Sequence, residues 1–358
     1  MISIDNAYYN MQQIINEDAH ILAQTDLPWE KLNDKTVLIS GANGYIPAYF
    51  VHVFMAHNDI YESGIKVIAL CRNKERAIER FNKYTHRDDF LLHIQDVCDP
   101  IQIEDDIHYF IHAASPAGIN ARNIEPVSTF NANILGCLNM LKLSTKKNTE
   151  RFLFVSSVDV YGILSPPRRF VETDSSALDC MNPRNAYAVS KLAAENLCAC
   201  FLAQHGVPIV VVRPFQIMGG GIALDDGRLH IDFISQMLSS DKIMLKSDGQ
   251  AKRTFMYITD AVMGMLTAML NGSPGEAYNI VDENGEASVL ELAQLMASLV
   301  SRKKIEVGFD YEKRNAIEVT SAPSVTTGDS GKLRELGWQA KLSLKDSASR
   351  MMRYYGLL

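Results

Sequence analysis

The chain has no excess of positive charge: 35 Lys and Arg stand against 42 Asp and Glu, a formal net of −7 at pH 7. A nucleic-acid binder or membrane-surface protein carries a basic stripe or a Lys/Arg block, and neither is present. An anionic ligand must then be met by a local cluster of Arg and Lys. Long hydrophobic runs are missing as well. No apolar stretch approaches bilayer-spanning length, and the opening M-I-S-I-D-N-A-Y-Y-N lacks a basic segment followed by an apolar one. A soluble, cytoplasmic protein is expected, with no nucleic-acid or membrane partner. Cysteine is sparse and unpatterned: Cys71, Cys98, Cys137, Cys180, Cys198 and Cys200 form no C-x-x-C pair. They read as reduced core thiols, and no metal is expected. There is no internal repeat or low-complexity tract. A length of 358 residues, 47% of them hydrophobic, suffices for one large or two intimately packed domains.

Residues 1–34 precede the first strand signal. Ile14, Ile15, Ile21 and Leu22 suggest one or two short amphipathic helices, a packing arm ended by Leu27-Pro28-Trp29. Residues 35–40 (K-T-V-L-I-S) form the short apolar run of a buried parallel strand. Gly41-Ala42-Asn43-Gly44-Tyr45-Ile46-Pro47 and a helix to about residue 57 follow. Glycine allows a tight turn and a close approach of pyrophosphate to the backbone, and the helix start offers free N–H groups. Pro47 replaces the usual third glycine, in a first turn where a missing N–H costs little. A second strand, residues 66–70, ends in Cys71-Arg72-Asn73 without the acidic residue that holds the ribose in many NAD-binding sheets. Arg72 there leaves NADP open beside NAD. Residues 91–97 read as a third strand with Asp96 and Val97 at its end, a place for adenine contact. Residues 109–115 read as a fourth, whose small Ala113, Ala114 and Ser115 let a cofactor lie against the backbone. Strands alternating with helices predict a doubly wound α/β domain.

Chemistry enters with residues 151–162 (R-F-L-F-V-S-S-V-D-V-Y-G), which deliver Ser157 and Asp159 to a strand's C-terminal end. Further on, Tyr187 and Lys191 are four residues apart in N-A-Y-A-V-S-K, on one face of an Ala-rich helix. A tyrosine titrates near ~10, and a fixed neighbouring cation favours its phenolate. Tyr187 is thereby fitted to accept a proton from a hydroxyl. Taken alone, each of these features also occurs on ordinary helices and loops.

Together the motifs S-G-A-N-G-Y-I-P, H-A-A-S-P-A, V-S-S-V-D-V-Y-G, Y-A-V-S-K, V-V-R-P-F and L-G-W resemble the extended short-chain dehydrogenases/reductases. The similarity is to their NAD-dependent nucleotide-sugar epimerase/dehydratase group, from about residue 35 onward. The resemblance implies a Rossmann-type doubly wound parallel sheet over residues 35–213, rejoined by about 256–282. A smaller, discontinuous C-terminal substrate lobe would occupy most of 214–358. It implies NAD held by Gly41, Asn43, Gly44, Tyr45, Ile46, Arg72, Asp96, Val97, Ala113, Ala114, Ser115, Tyr187, Lys191 and Pro214. Tyr187 would be the base for a sugar 4-hydroxyl, Lys191 would hold the phenolate and the ribose, and Ser157 would bond the reacting oxygen. Sugar 4,6-dehydratases carry Asp then Glu after that serine. Here Val158 cannot donate a proton, so dehydration ranks below decarboxylation and 4-epimerisation. Asp159 is left either to chemistry or to capping the next turn. Residues 224–228 and 246–257 look most like the UDP-glucuronate decarboxylase branch, in which Arg228 and Arg253 would grip the substrate diphosphate. Ser115 would touch the substrate, and Arg122 would meet a sugar carboxylate or face solvent. Two apolar helices, around 129–144 and 187–204, match those that pair relatives into homodimers. An NADPH-dependent 4-keto reductase remains an alternative. Pro47 and the missing ribose carboxylate also leave open a cofactor-binding sensor without catalysis.

Overall fold

The computed structural model describes residues 4–116, 118, 124–310 and 325–358. Helix α1 (Ile4–Ala23) leads into β1 (Thr36–Ser40), α2 (Tyr45–Tyr61), β2 (Lys66–Cys71), α3 (Lys74–Phe81), β3 (Phe90–Ile94) and β4 (Tyr109–His112). Then come α4 (Pro126–Ser144), β5 (Arg151–Val155), α5 (Ala186–His205) and β6 (Ile209–Pro214). The third strand ends at Ile94, so Asp96 and Val97 sit in the loop beyond it and not on the strand. The arm is one helix followed by a 3₁₀ turn at Trp29–Leu32.

The remaining elements are β7 (Gln216–Met218), α6 (Leu229–Ser239), β8 (Lys242–Leu245), β9 (Lys252–Tyr257), α7 (Ile258–Asn271) and β10 (Ala277–Ile280). After them come β11 (Glu286–Ser288), α8 (Val289–Leu299), β12 (Glu306–Phe309), β13 (Val325–Thr326), α9 (Gly331–Arg334) and α10 (Leu344–Tyr354). Seven strands form one parallel sheet in the order β10-β6-β5-β4-β1-β2-β3. Smaller sheets hold β11-β9-β13 with β7 on β9, and β12 with β8.

Strand alternation divides the core. Val37, Ile39, Val67, Ala69, Ile111 and Leu153 join a cluster that includes α2 and α7, while Leu38, Ile68, Phe110 and Phe152 join one that includes α4 and α5. Both faces are covered, which is why these strands read as continuous apolar runs. The chain leaves β1 for β2 and β3 on one side and returns to β4 on the other. The crevice at the C-terminal ends of β1 and β4 is therefore the switch point at which such sheets hold ligands.

Helix α2 is buried at every position from Pro47 to Asn58, because the sheet lies under it and α1 packs over it. Pro47 is its third residue, inside the first turn, where no intrahelical N–H donor is needed. A buried carboxylate anchors the arm: Asp18 accepts from Arg350 Nε at 2.5 Å, Tyr257 OH at 2.9 Å and Tyr49 OH at 3.3 Å. One acidic side chain thus joins the arm to α2, β9 and α10. The cysteines are all free, and Cys71, Cys137 and Cys198 are core thiols, but Cys180 and Cys200 are exposed. Cys200 lies on the outer face of α5, and Cys180 in the loop before that helix. Among the described residues no helix is long and apolar enough to cross a membrane.

Candidate active site

A cavity of about 510 Å³ opens at the switch point. Its floor is the glycine turn. Gly41 has φ +65°, and a Cβ there would stand 2.6 Å from Ala114 Cα, so the turn packs directly on the chain leaving β4. Gly44 caps α2 and presents the helix start to the cavity. From α3, Arg80 donates to Gly44 O at 3.1 Å and Gly221 O at 3.4 Å and braces the turn from behind.

The β4 end is fixed by a small buried network. Ser40 Oγ accepts the N–H groups of Ala113 (3.2 Å) and Ala114 (3.3 Å) and lies 2.7 Å from His112 Nδ1. With both amides donating, the hydroxyl proton goes to Nδ1, which fixes the neutral ring with its proton on Nε2. Burial, and then the charge of Lys191, hold His112 down to about 3, so it stays neutral.

Tyr187 lies in the first turn of α5 and Lys191 one turn later, both buried and both lining the cavity. Lys191 Nζ donates to Val155 O at 2.7 Å and stands 6.0 Å from the Tyr187 ring centre. Burial pulls its pKa from 10.5 to about 8, so the ammonium survives at neutral pH and sets a cation beside the phenol. Ser157 follows β5. Its Oγ accepts from Asp159 N at 3.1 Å and caps the 3₁₀ turn Val158–Tyr161, which leaves its proton free to donate. The cap is thus Ser157 and not Asp159, whose residue contributes to the cavity wall.

Every residue assigned above to the cofactor lines this one cavity: Gly41, Asn43, Gly44, Tyr45, Ile46, Arg72, Asp96, Val97, Ala113, Ala114, Ser115, Tyr187, Lys191 and Pro214. Ser157, Asp159 and Arg228 line it too. Arg228 Nε is 3.3 Å from Asp226 Oδ1, and its guanidinium lies 5.7 Å from the Tyr45 ring centre. Arg253 is not in the lining. It sits on β9, where burial lowers its pKa and the charge of Asp159 opposes that fall. Arg122 falls outside the described residues. Sequence reasoning missed Arg76, Gln95, Ala132, Phe215 and Gln216 in the lining, and the bracing Arg80. Arg76 and Arg80 follow Arg72 at successive four-residue steps, a helical spacing that would have flagged them.

Four buried polar atoms in this wall, Tyr45 OH, Ser115 Oγ, Ser156 Oγ and Arg228 Nη1, have no hydrogen-bond partner among the described residues. Buried polar groups are rarely left unpaired, and here they line a cavity beside a glycine turn and a helix start. The residues therefore fit a dinucleotide and a polar second ligand. Comparison with known proteins agrees. UDP-glucuronic acid decarboxylase 1 of Danio rerio is 28% identical over 361 residues, covering 98% of this chain and 81% of that protein. The fold matches the Thermotoga maritima UDP-glucose 4-epimerase solved with UDP-glucose (23% identity, TM-score 0.75, 90% of this chain and 98% of that one). It also matches the Bacillus cereus UDP-glucuronic acid 4-epimerase solved with UDP-glucuronic acid and NAD (19%, TM-score 0.73, 90% and 99%). The family model that matches spans residues 37–281, from the first sheet strand to just past the last, and by it the chain belongs to the NAD dependent epimerase/dehydratase family.

Proposed function

We propose that the protein transiently oxidises carbon 4 of a nucleotide-diphosphate sugar and that its substrate is UDP-glucuronate, which it decarboxylates. The observation that carries this reading is that Ser157, Tyr187 and Lys191 line one cavity with the glycine turn. The similarity to a UDP-glucuronic acid decarboxylase over 98% of the chain supports the choice of sugar.

The bound dinucleotide supplies acceptance and return of a hydride. Tyr187, as phenolate, takes the proton of the sugar 4-hydroxyl, and the buried ammonium of Lys191 holds that phenolate. Ser157 donates its free proton to the oxygen that becomes a carbonyl, stabilising the charge that develops there. Arg228, with Nη1 unpartnered, meets an anionic group of the bound ligands. A 4-keto group makes an adjacent carboxylate labile, so loss of CO₂ and protonation at carbon 5 follow before the carbonyl is reduced again. Elimination of water is disfavoured, because Val158 is apolar and buried where a dehydratase would carry its acid.

We further propose that the enzyme works in the cytoplasm as a homodimer, joined through the outer faces of α4 and α5, where Phe130, Leu135 and Leu192 are exposed. The test of function is proton NMR of purified protein with UDP-glucuronate and catalytic NAD. UDP-pentose is the expected product. A 4-epimer with its carboxylate retained would replace decarboxylation by epimerisation, and an unchanged spectrum would refute the choice of sugar.

A further inference from the structure

Arg213 stands on β6 one residue before Pro214, which lines the cavity, and takes no part in the chemistry proposed above. Its guanidinium is nonetheless nearly buried and fully engaged. Nε and Nη2 donate to the two carboxylate oxygens of Glu195, at 3.0 Å and 2.6 Å, a forked pair whose side chains are only 11% and 10% exposed. Nη1 donates to Tyr161 OH at 3.0 Å and to Glu172 O at 2.8 Å. The Tyr161 hydroxyl donates in turn to Asn279 Oδ1 on β10 at 2.6 Å, so it is held from two sides.

These partners belong to the two elements that carry the reacting groups. Glu195 lies on α5 one turn beyond Lys191 and two beyond Tyr187. Tyr161 ends the 3₁₀ turn that Ser157 caps. Between turn and helix runs the loop 162–182, whose backbone bridge, Phe170 to Gly328, goes to the C-terminal segment and not to α5. The loop does not by itself set the separation of Ser157 from Tyr187. Lys191 fastens α5 to the end of β5 at Val155 O, and one such point leaves a helix free to pivot. Arg213 supplies a second. An ammonium in its place could not pair with both carboxylate oxygens and reach Tyr161 as well. A buried ion pair contributes little net stability beside apolar side chains of similar volume, so what this one contributes is geometry.

We infer that Arg213 is a positioning residue: through Glu195 and Tyr161 it sets the spacing of the Tyr187 helix and the Ser157 turn, so that both side chains meet the same substrate oxygen. The inference rests on the proposed roles of Tyr187 and Ser157 and adds to them the group that keeps the two in register.

The experiment is a double-mutant cycle on turnover, Arg213→Lys crossed with Ser157→Ala, in dinucleotide-loaded protein. Proton NMR over hours follows the slow variants as well as the wild type. The substrate is UDP-glucuronate or, if that is inert, whichever UDP-, dTDP-, CDP- or GDP-sugar the wild type converts. Arg213→Lys should lower kcat by about tenfold or more with KM little changed, because misplaced reacting groups are felt in the transition state. In the Ser157→Ala background the same substitution should lower kcat by about twofold or less, since no hydroxyl is left to misplace. A general loosening of the fold would act alike in both backgrounds. No fall in kcat, equal falls in both backgrounds, or a rise in KM at unchanged kcat overturns the inference. If Arg213→Lys fails to fold, Tyr161→Phe enters the same cycle, because it keeps the pair with Glu195 and removes only the link to the turn. A wild type that converts none of these sugars overturns the proposed function and this inference with it, whereas turnover without the coupling overturns this inference alone.

Discussion

Replacing Lys191 with Met should make the cofactor-free protein more stable while abolishing turnover. Lys191 is 2% exposed, and burial moves its pKa from 10.5 to about 8. Well below pH 8 the folded chain therefore buries a charge that the unfolded chain solvates freely, at roughly 3 kcal/mol of lost stability. Methionine keeps the apolar stem but loses the bond to Val155 O, which offsets about 1 kcal/mol of the gain. The net expectation is a variant roughly 2 kcal/mol more stable than wild type at neutral pH. The sign follows from proton counts. Between pH 8 and 10.5 the unfolded chain still binds the proton that the folded chain has released, so wild-type stability climbs through that window. The advantage of Lys191→Met is full below pH 8 and fades toward 10.5. Denaturant unfolding of both proteins at pH values well below 8 and near 10.5 measures it. A variant no more stable at the lower pH, or an advantage that does not shrink at the higher, refutes the reasoning.

Tyr187→Phe removes the proton acceptor and keeps the ring, so turnover should fall by at least ~10²-fold with dinucleotide affinity little changed. Turnover at the wild-type rate would remove Tyr187 from the mechanism. Gly41→Ala introduces a side chain at φ +65° and 2.6 Å from Ala114 Cα. The cost should be roughly 1–3 kcal/mol of stability together with weaker dinucleotide binding, and a titration matching wild type would show that the turn does not need its close approach to β4.

What the sequence revealed follows periodicity and local spacing. The inner sheet strands read correctly because burial on both faces leaves each as a short apolar run, as in Val37 to Ile39, whereas the half-exposed edge strand β3 ends three residues before the expected position. The shared helical placement of Tyr187 and Lys191 was legible because one helical turn fixes their relation before any tertiary contact forms. The turn from Gly41 to Ile46 was legible for the same reason. Contacts made across elements were not. Gln95, Phe215 and Gln216 enter the cavity through loops and a short strand whose direction no period encodes. Asp18 reads in sequence as an ordinary surface carboxylate of an amphipathic helix, and only the approach of Tyr257 and Arg350 makes it a buried anchor. The pairing of Arg228 with Arg253 was drawn from a resemblance: Arg228 lines the cavity, and Arg253, on β9 outside the lining, feels the charge of Asp159 in the cavity wall. The exposure of Cys180 and Cys200 was missed because composition alone assigns thiols to the core.

The Asp18 anchor also sets an order for biosynthesis. Its charge is neutralised by Arg350, 332 residues later in the chain. At a ribosomal pace of ~5–20 residues per second, roughly 15–70 s separate the emergence of the two partners. For most of that interval Asp18 lacks both Tyr257 and Arg350, so the anchored form of α1 on α2 is expected to be complete only once the C-terminal helix has arrived. Until then the outer surface of α2, apolar and destined to lie beneath that arm, is expected to be less firmly covered. It is the surface a chaperone would be expected to hold.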